Sequence, residues 1–222
     1  MSAVRSAIVR DIEDAGVIAV IRLSNGGQLR AVADALIEGG VRALEVTMTV
    51  PRAVSLIEEL TASLPPGVLI GAGTVLDPQT ASEVIRAGAT FVVSPVSRRS
   101  LIETCHRFEV PAMPGCFTPS EILDAWEAGA DLVKVFPATT LGPGYFRDVR
   151  GPLPQVRLVP TGGVTRDNAG DWIRAGAVAI GVGTALVDRA AVDERRFEVI
   201  TANARHFVNA VQHARGRATV GA

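Results

Sequence analysis

Eight short β-branched runs at even spacing, helical segments between them and turn residues after each run predict a parallel α/β fold. The expected form is a single (β/α)8 barrel, a TIM barrel, with an extra N-terminal helix. The runs begin at Val17 (VIAVIR), Ala43 (ALEVTM), Val68 (VLIGAGT), Thr90 (TFVVSP), Val110 (VPAMPG), Asp131 (DLVKVFP), Val156 (VRLVPTGG) and Val178 (VAIGVG), 20 to 26 residues apart. Runs that are apolar on both faces read as buried parallel strands. An open doubly wound sheet is the other architecture such alternation allows. The count of eight favours the barrel, and 222 residues lie near its lower length limit.

The elements follow in order. Val4, Ile8 and Ile12 suggest an N-terminal helix able to cover the lower opening of the barrel. Leu29, Val32, Ala33, Leu36 and Ile37 share one face of a helix that Gly39-Gly40 ends. Ala53, Leu56, Ile57 and Leu60 repeat that spacing after Pro51. Later helices are expected near 78–87, 98–107, 119–128 and 168–175. The third starts with Thr118-Pro119-Ser120-Glu121, a capping-box pattern with proline at the first helical position. Small-residue stops precede every second run: Gly39-Gly40, Ala87-Gly88-Ala89, Ala128-Gly129-Ala130 and Ala175-Gly176-Ala177. Phe197, Ile200, Ala204, Phe207 and Val211 make a long amphipathic C-terminal helix. With no linker or low-complexity tract, residues 1–222 read as one domain.

Composition narrows the function. Net charge is −1, which gives no global pull toward nucleic acid. No apolar run is long enough for a membrane span, and residues 1–10 lack the apolar stretch of a signal peptide. Cys105 and Cys116 do not form a disulfide framework. A cytoplasmic protein is the expectation. Metal is disfavoured, because His106, His206 and His213 fall in expected helices and no His/Cys/Asp group has ligand spacing. Of 22 basic residues, 21 are arginine, and the only lysine is Lys134.

Barrel chemistry sits at the C-terminal strand ends. Lys134 lies mid-run between Val133 and Val135, so strand alternation turns it inward when those valines face the helices. Buried there, its amine loses proton affinity and becomes a candidate nucleophile for a carbonyl, which a guanidinium cannot be. A structural lysine paired with a carboxylate, or one binding an anion, is the competing reading. Glu45, in the second run, is the matching candidate acid–base or the partner of that ion pair. Thr161-Gly162-Gly163 and Gly181-Val182-Gly183-Thr184 end the last two runs, where barrel loops commonly bind phosphate; tight turns alone also explain glycines. Arg22, after the first run, is either an anion clamp or a rim arginine. Phe136 either walls the pocket or belongs to the core, and Pro95 ends the fourth run on the same rim.

The stretches GGVRALEVTMTVPRA, GAGTVLDP, FVVSP, VPAMPGCFTPSE, LVKVFPA, LVPTGGV and GVGTALV occur in the order seen in one family. Over residues 17–187 the chain resembles the 2-keto-3-deoxy-6-phosphogluconate (KDPG) and 4-hydroxy-2-oxoglutarate (KHG) aldolases. The resemblance implies a class I aldolase that uses no metal or other cofactor, is a homotrimer and acts on a small phosphorylated keto acid. It would cleave 2-dehydro-3-deoxy-6-phosphogluconate to pyruvate and glyceraldehyde 3-phosphate, or 4-hydroxy-2-oxoglutarate to pyruvate and glyoxylate. Lys134 then corresponds to the Schiff-base lysine and Glu45 to the acid–base. Thr74 corresponds to a carboxylate contact, and Gly162, Gly163 and Thr184 to the phosphate site. Many members carry Leu-Arg-Thr after the Glu-Val-Thr of the second strand, and that arginine contacts pyruvate. Met48-Thr49-Val50 stands here, and Arg22 is expected to take over the contact. Rival readings are a 2-dehydro-3-deoxy-6-phosphogalactonate aldolase, a non-covalent phosphate-sugar epimerase or isomerase, and a barrel that only binds a phosphorylated metabolite.

Overall fold

The computed structural model describes residues 2–216; Met1 and residues 217–222 of the expected domain lie outside the described residues. It is a parallel α/β fold with a curled sheet. Strands β1 (Val17–Ile21), β2 (Ala43–Thr47), β3 (Leu69–Gly73), β4 (Phe91–Val93) and β5 (Ala112–Met113) pair in sequence order. With β9 (Ile180–Val182) beside β1 they make a six-stranded sheet. The short strands β6 (Gly115–Cys116), β7 (Val133–Val135) and β8 (Leu158–Pro160) form a second, three-stranded sheet. The eight expected runs all appear as strands. The fifth is split into β5 and β6 at Pro114, which has no N–H to give to a ladder. A parallel bridge between Thr161 and Gly181 joins the end of β8 to β9.

The curl is visible in the core. Ile18, Ala43, Phe91, Met113, Leu132, Val159 and Ala179 come from seven positions around the sheets, yet they share one apolar cluster. Val9 and Ile12 of helix α1 (Ala3–Ala15) join it, so the N-terminal helix does pack on the floor of the strands. Val4, expected on the same face, is 55% exposed; the first turn overhangs the floor. Arg5 anchors α1 instead, through Asp131 at 2.9 Å.

A larger cluster lies between the strands and the helices α2 (Leu29–Glu38), α3 (Ala53–Ser63), α4 (Pro78–Arg86), α5 (Arg99–Arg107), α6 (Pro119–Glu127), α7 (Gly142–Arg150), α8 (Ala169–Arg174), α9 (Arg189–Asp193) and α10 (Phe197–Ala214). The Thr118–Glu121 capping box of α6 forms as its sequence predicts. Sequence reasoning misses α7 and α9. The first opens Gly142-Pro143-Gly144, which reads as a turn, but Phe146 and Val149 bury its inner face. The second is five residues long, too short for periodicity to register. Both cysteines are free and buried, and among the described residues no helix is long and apolar enough to cross a membrane.

Candidate active site

Alternation along a strand decides which side chains meet inside the curl. On β7, Val133 and Val135 belong to the outer cluster, and Lys134 between them points inward at 2% exposure. On β2, Leu44 and Val46 face the helices and Glu45, also buried, faces the same interior. Glu45 pairs in register with Gly71 of β3, and its side chain runs over Gly73. A Cβ at position 73 would overlap Oε1 of Glu45 and lie 2.6 Å from its Cδ. Gly73 therefore makes room for the carboxylate.

Lys134 and Glu45 are electrostatic neighbours without a direct ion pair among the described residues. Burial pushes the Lys134 amine below the usual lysine range; Glu45 pulls it back up, and the Arg22 charge pushes it down. The amine sits 5.0 Å from the centre of the Phe136 ring. Oε1 of Glu45 is buried with no hydrogen-bond partner in the structure. An unsatisfied buried acceptor is costly unless something else uses it. A structural ion pair, the competing reading of these two residues, needs a direct Lys134–Glu45 contact, which is absent among the described residues.

Seven of the nine other candidate residues line one cavity of about 100 Å³: Arg22, Phe136, Thr161, Gly162, Gly163, Gly183 and Thr184. Gly162 and Gly163 have φ of 86° and 73°, a region where L side chains are strained. A Cβ on Gly163 would also meet Cα of Thr139 at 2.6 Å. The loop is tied by Asn168, which donates from Nδ2 to the Gly163 carbonyl at 2.9 Å and accepts from the Thr165 N–H at 2.8 Å. Sequence reasoning misses Asn168, although an Asn just ahead of a helix often makes such a turn. Arg22 is exposed and lies over β9: its Nη1 is 3.1 Å from where a Gly183 Cβ would be. The guanidinium thus belongs to the glycine-loop cavity.

Thr74 and Pro95 lie outside that cavity. Thr74 directly follows β3 with φ 59°, unusual for a β-branched residue and a local strain of about 1–3 kcal/mol. Pro95 shares with the other side of Phe136 a larger, 540 Å³ cavity, in which Cys116 and Phe117 also stand. No group of three His, Cys, Asp or Glu among the described residues is placed to hold a metal ion.

Known proteins share both sequence and structure with this chain. The family profile "KDPG and KHG aldolase" matches residues 8–203. A 2-dehydro-3-deoxy-phosphogluconate aldolase of Pseudomonas aeruginosa is 37% identical over 181 residues, covering 81% of this chain and 82% of the relative. The KHG/KDPG aldolase of Escherichia coli K12 is 36% identical, covering 80% and 83%. A 2-dehydro-3-deoxy-6-phosphogalactonate aldolase of the same organism is 31% identical, covering 88% and 96%. The crystal structure of a KDPG aldolase from Legionella pneumophila, with pyruvate captured as a covalent carbinolamine, superposes with a TM-score of 0.82 at 31% identity, covering 88% of this chain and 95% of that one. A family profile spanning most of the chain and relatives at 36–37% identity over four fifths of it identify an aldolase: the chain belongs to the KDPG and KHG aldolase family.

Proposed function

We propose that this enzyme cleaves 2-dehydro-3-deoxy-6-phosphogluconate to pyruvate and glyceraldehyde 3-phosphate through a Schiff base on Lys134, with Glu45 as general acid–base. The observation that carries this is the buried amine held below its usual proton affinity beside a carboxylate oxygen with no partner. The neutral amine adds to the C2 ketone, and loss of water gives an iminium that serves as the electron sink. Glu45, directly or through a water, takes the C4 hydroxyl proton. The C3–C4 bond breaks, glyceraldehyde 3-phosphate leaves, and its former bonding pair forms the pyruvate enamine. Protonation of that enamine at C3 and hydrolysis of the imine release pyruvate and free the amine. One placed carboxylate supplies roughly 10²–10⁴-fold to such proton transfers.

The glycine-loop cavity fits the phosphate. Arg22 and Thr184 border it, which favours a phosphate contact for Arg22 over the pyruvate contact expected of it; backbone N–H groups of the Gly162-Gly163 turn are available, and Phe136 forms the wall toward Lys134. Thr74, at the opposite rim, is assigned to the pyruvate carboxylate, and Pro95 closes the rim beside Phe136. The gluconate-derived substrate is placed ahead of the galactonate-derived one because relatives named for the former reach 37% identity, against 35% for those named for the latter. 4-Hydroxy-2-oxoglutarate, which lacks the phosphate, is a second substrate cleaved to pyruvate and glyoxylate.

The same reading covers the architecture: one domain over residues 1–222, a closed (β/α)8 barrel and a cytoplasmic homotrimer. The Thr161–Gly181 bridge on one side, and on the other the bonds from Gly115 N–H to Val96 and from Asp131 N–H to Ala112, support closure. Size-exclusion chromatography with light scattering tests the trimer. Borohydride reduction in the presence of pyruvate tests the chemistry. One reduced pyruvyl adduct at Lys134 is expected, and an unmodified chain overturns the Schiff-base mechanism. Rates on the two phosphorylated epimers and on hydroxyoxoglutarate decide the substrate.

A further inference from the structure

The exit of β1 is gripped by two threonines that the mechanism above does not use. Thr47, the last residue of β2, is fully buried, and its hydroxyl donates to the carbonyl of Ile21 at 3.1 Å. That carbonyl directly precedes Arg22. Thr47 Oγ1 also lies 2.7 Å from Oγ1 of Thr49. A hydroxyl carries one proton. The Thr47 proton is committed to the carbonyl, so Thr49 must be the donor in the second bond. The direction of the chain is therefore Thr49 to Thr47 to Ile21. Thr49 is exposed at the mouth, but its proton is spent inward, so it presents only lone pairs outward and cannot hold an anion.

Arg22 is in the opposite position. It follows the strand end, it is exposed, and its long side chain makes no ion pair among the described residues. Its guanidinium nonetheless lies over Gly183 and in the glycine-loop cavity. For a long, rotamer-rich side chain, the direction in which the backbone leaves the strand is the main fixed constraint. The carbonyl bond from Thr47 is a side-chain contact that fixes this direction from the neighbouring strand.

We propose that Thr47 and Thr49 are positioning residues: their hydroxyl relay to the Ile21 carbonyl holds the β1 exit so that Arg22 stays over Gly183, in the substrate's anion cavity. The proposal rests on the reading of Arg22 as an anion clamp. The relay touches neither Lys134 nor the reacting carbons, and the influence of Arg22 on Lys134 is the smallest of those acting on it, so relay loss acts on KM far more than on kcat.

The test is steady-state cleavage of 2-dehydro-3-deoxy-6-phosphogluconate by Thr47→Val, Thr47→Ser, Thr49→Val, Arg22→Leu and the Thr47→Val/Arg22→Leu double variant, each checked for folding by circular dichroism. Thr47→Val keeps the shape and removes the hydroxyl. It should raise KM roughly three- to ten-fold, the worth of one net hydrogen bond, with kcat within about twofold. Thr47→Ser, which restores the donor, should bring KM back. Thr49→Val alters only an exposed side chain and should raise KM about twofold; it decides the matter with its serine counterpart if Thr47→Val does not fold. In the double variant the Thr47 effect should vanish on top of Arg22→Leu. An unchanged KM in Arg22→Leu removes the clamp and the relay's purpose together. A raised KM in Arg22→Leu with an independent, multiplying Thr47→Val effect overturns the relay alone, as does a Thr47→Val loss confined to kcat or not rescued by serine.

Discussion

Replacing Gly73 with alanine should disable the enzyme without unfolding it. The added Cβ would stand 2.6 Å from Cδ of Glu45, whereas ordinary contact begins near 3.4 Å. The difference, 3.4 less 2.6, requires the carboxyl carbon to retreat by about 0.8 Å, and Oε1, which the methyl overlaps, by more. A misplacement of about 1 Å in a reacting group costs on the order of 10²-fold in rate, within the roughly 10²–10⁴-fold a general acid–base can contribute. We expect kcat for aldol cleavage to fall about a hundredfold, read as pyruvate release coupled to lactate dehydrogenase. Gly71→Ala is the matched control two residues earlier on the same face. Its methyl overlaps the Phe91 ring in the floor cluster, whose atoms are its three nearest contacts, and not the Glu45 carboxylate. It should cost about 1–3 kcal/mol of stability, roughly 2–12 °C in Tm for a chain of this size, with a far smaller effect on kcat. A folded Gly73→Ala enzyme with kcat within threefold of the original, or equal activity losses in both variants, refutes the reasoning.

Three further outcomes follow from the site and its supports. Arg22 lowers the proton affinity of Lys134, so Arg22→Leu should raise it and move the acid limb of pyruvate-imine formation to higher pH; Glu45→Gln removes a raising influence and should move that limb to lower pH, both read as borohydride-trapping rate against pH. Asp131→Ala strands Arg5, His106 and the buried Ala112 N–H, which the carboxylate now serves at 2.9, 3.1 and 3.1 Å. Calorimetry should show a loss of about 3–5 kcal/mol, roughly 6–20 °C in Tm. Thr118→Ala opens the α6 capping box and should cost about 0.5–2 kcal/mol in urea unfolding, with no change in m-value.

What could be read from the sequence is what short-range rules govern. Two-residue alternation places Lys134 and Glu45 on the inner face once their apolar neighbours are assigned outward, and strand ends gather Arg22 with the two glycine loops. The order of elements follows from the spacing of the runs. Contacts between distant residues were not legible. Nothing near Thr47 in sequence indicates that its hydroxyl reaches a carbonyl 26 residues away, because threonine in a strand is also ordinary β-propensity. Asp131 reads as the polar start of a run, yet its partner Arg5 lies 126 residues off. Helix α7 hides behind Gly142 and Pro143, whose local preference is for turns; packing of Phe146 against Trp172, with ring centres 5.1 Å apart, overrides it.

On the proposed mechanism, the placement of charge accounts for a lysine at position 134 where no arginine would serve. A Glu45–Lys134 contact pair would stabilise the ammonium and hold the amine in its protonated form. Here the opposite charges stay close enough to influence each other and make no direct bond, while Arg22 opposes Glu45 in its effect on the amine. Burial then tilts the amine toward its neutral form, and the unpartnered Oε1 remains able to take or give a proton. The glycine at position 73 is what permits this spacing, since it lets the carboxylate lie flat along β3. An arginine at position 134 would keep its proton under every one of these influences, so in this chain the lysine-specific property is the ability to be neutral.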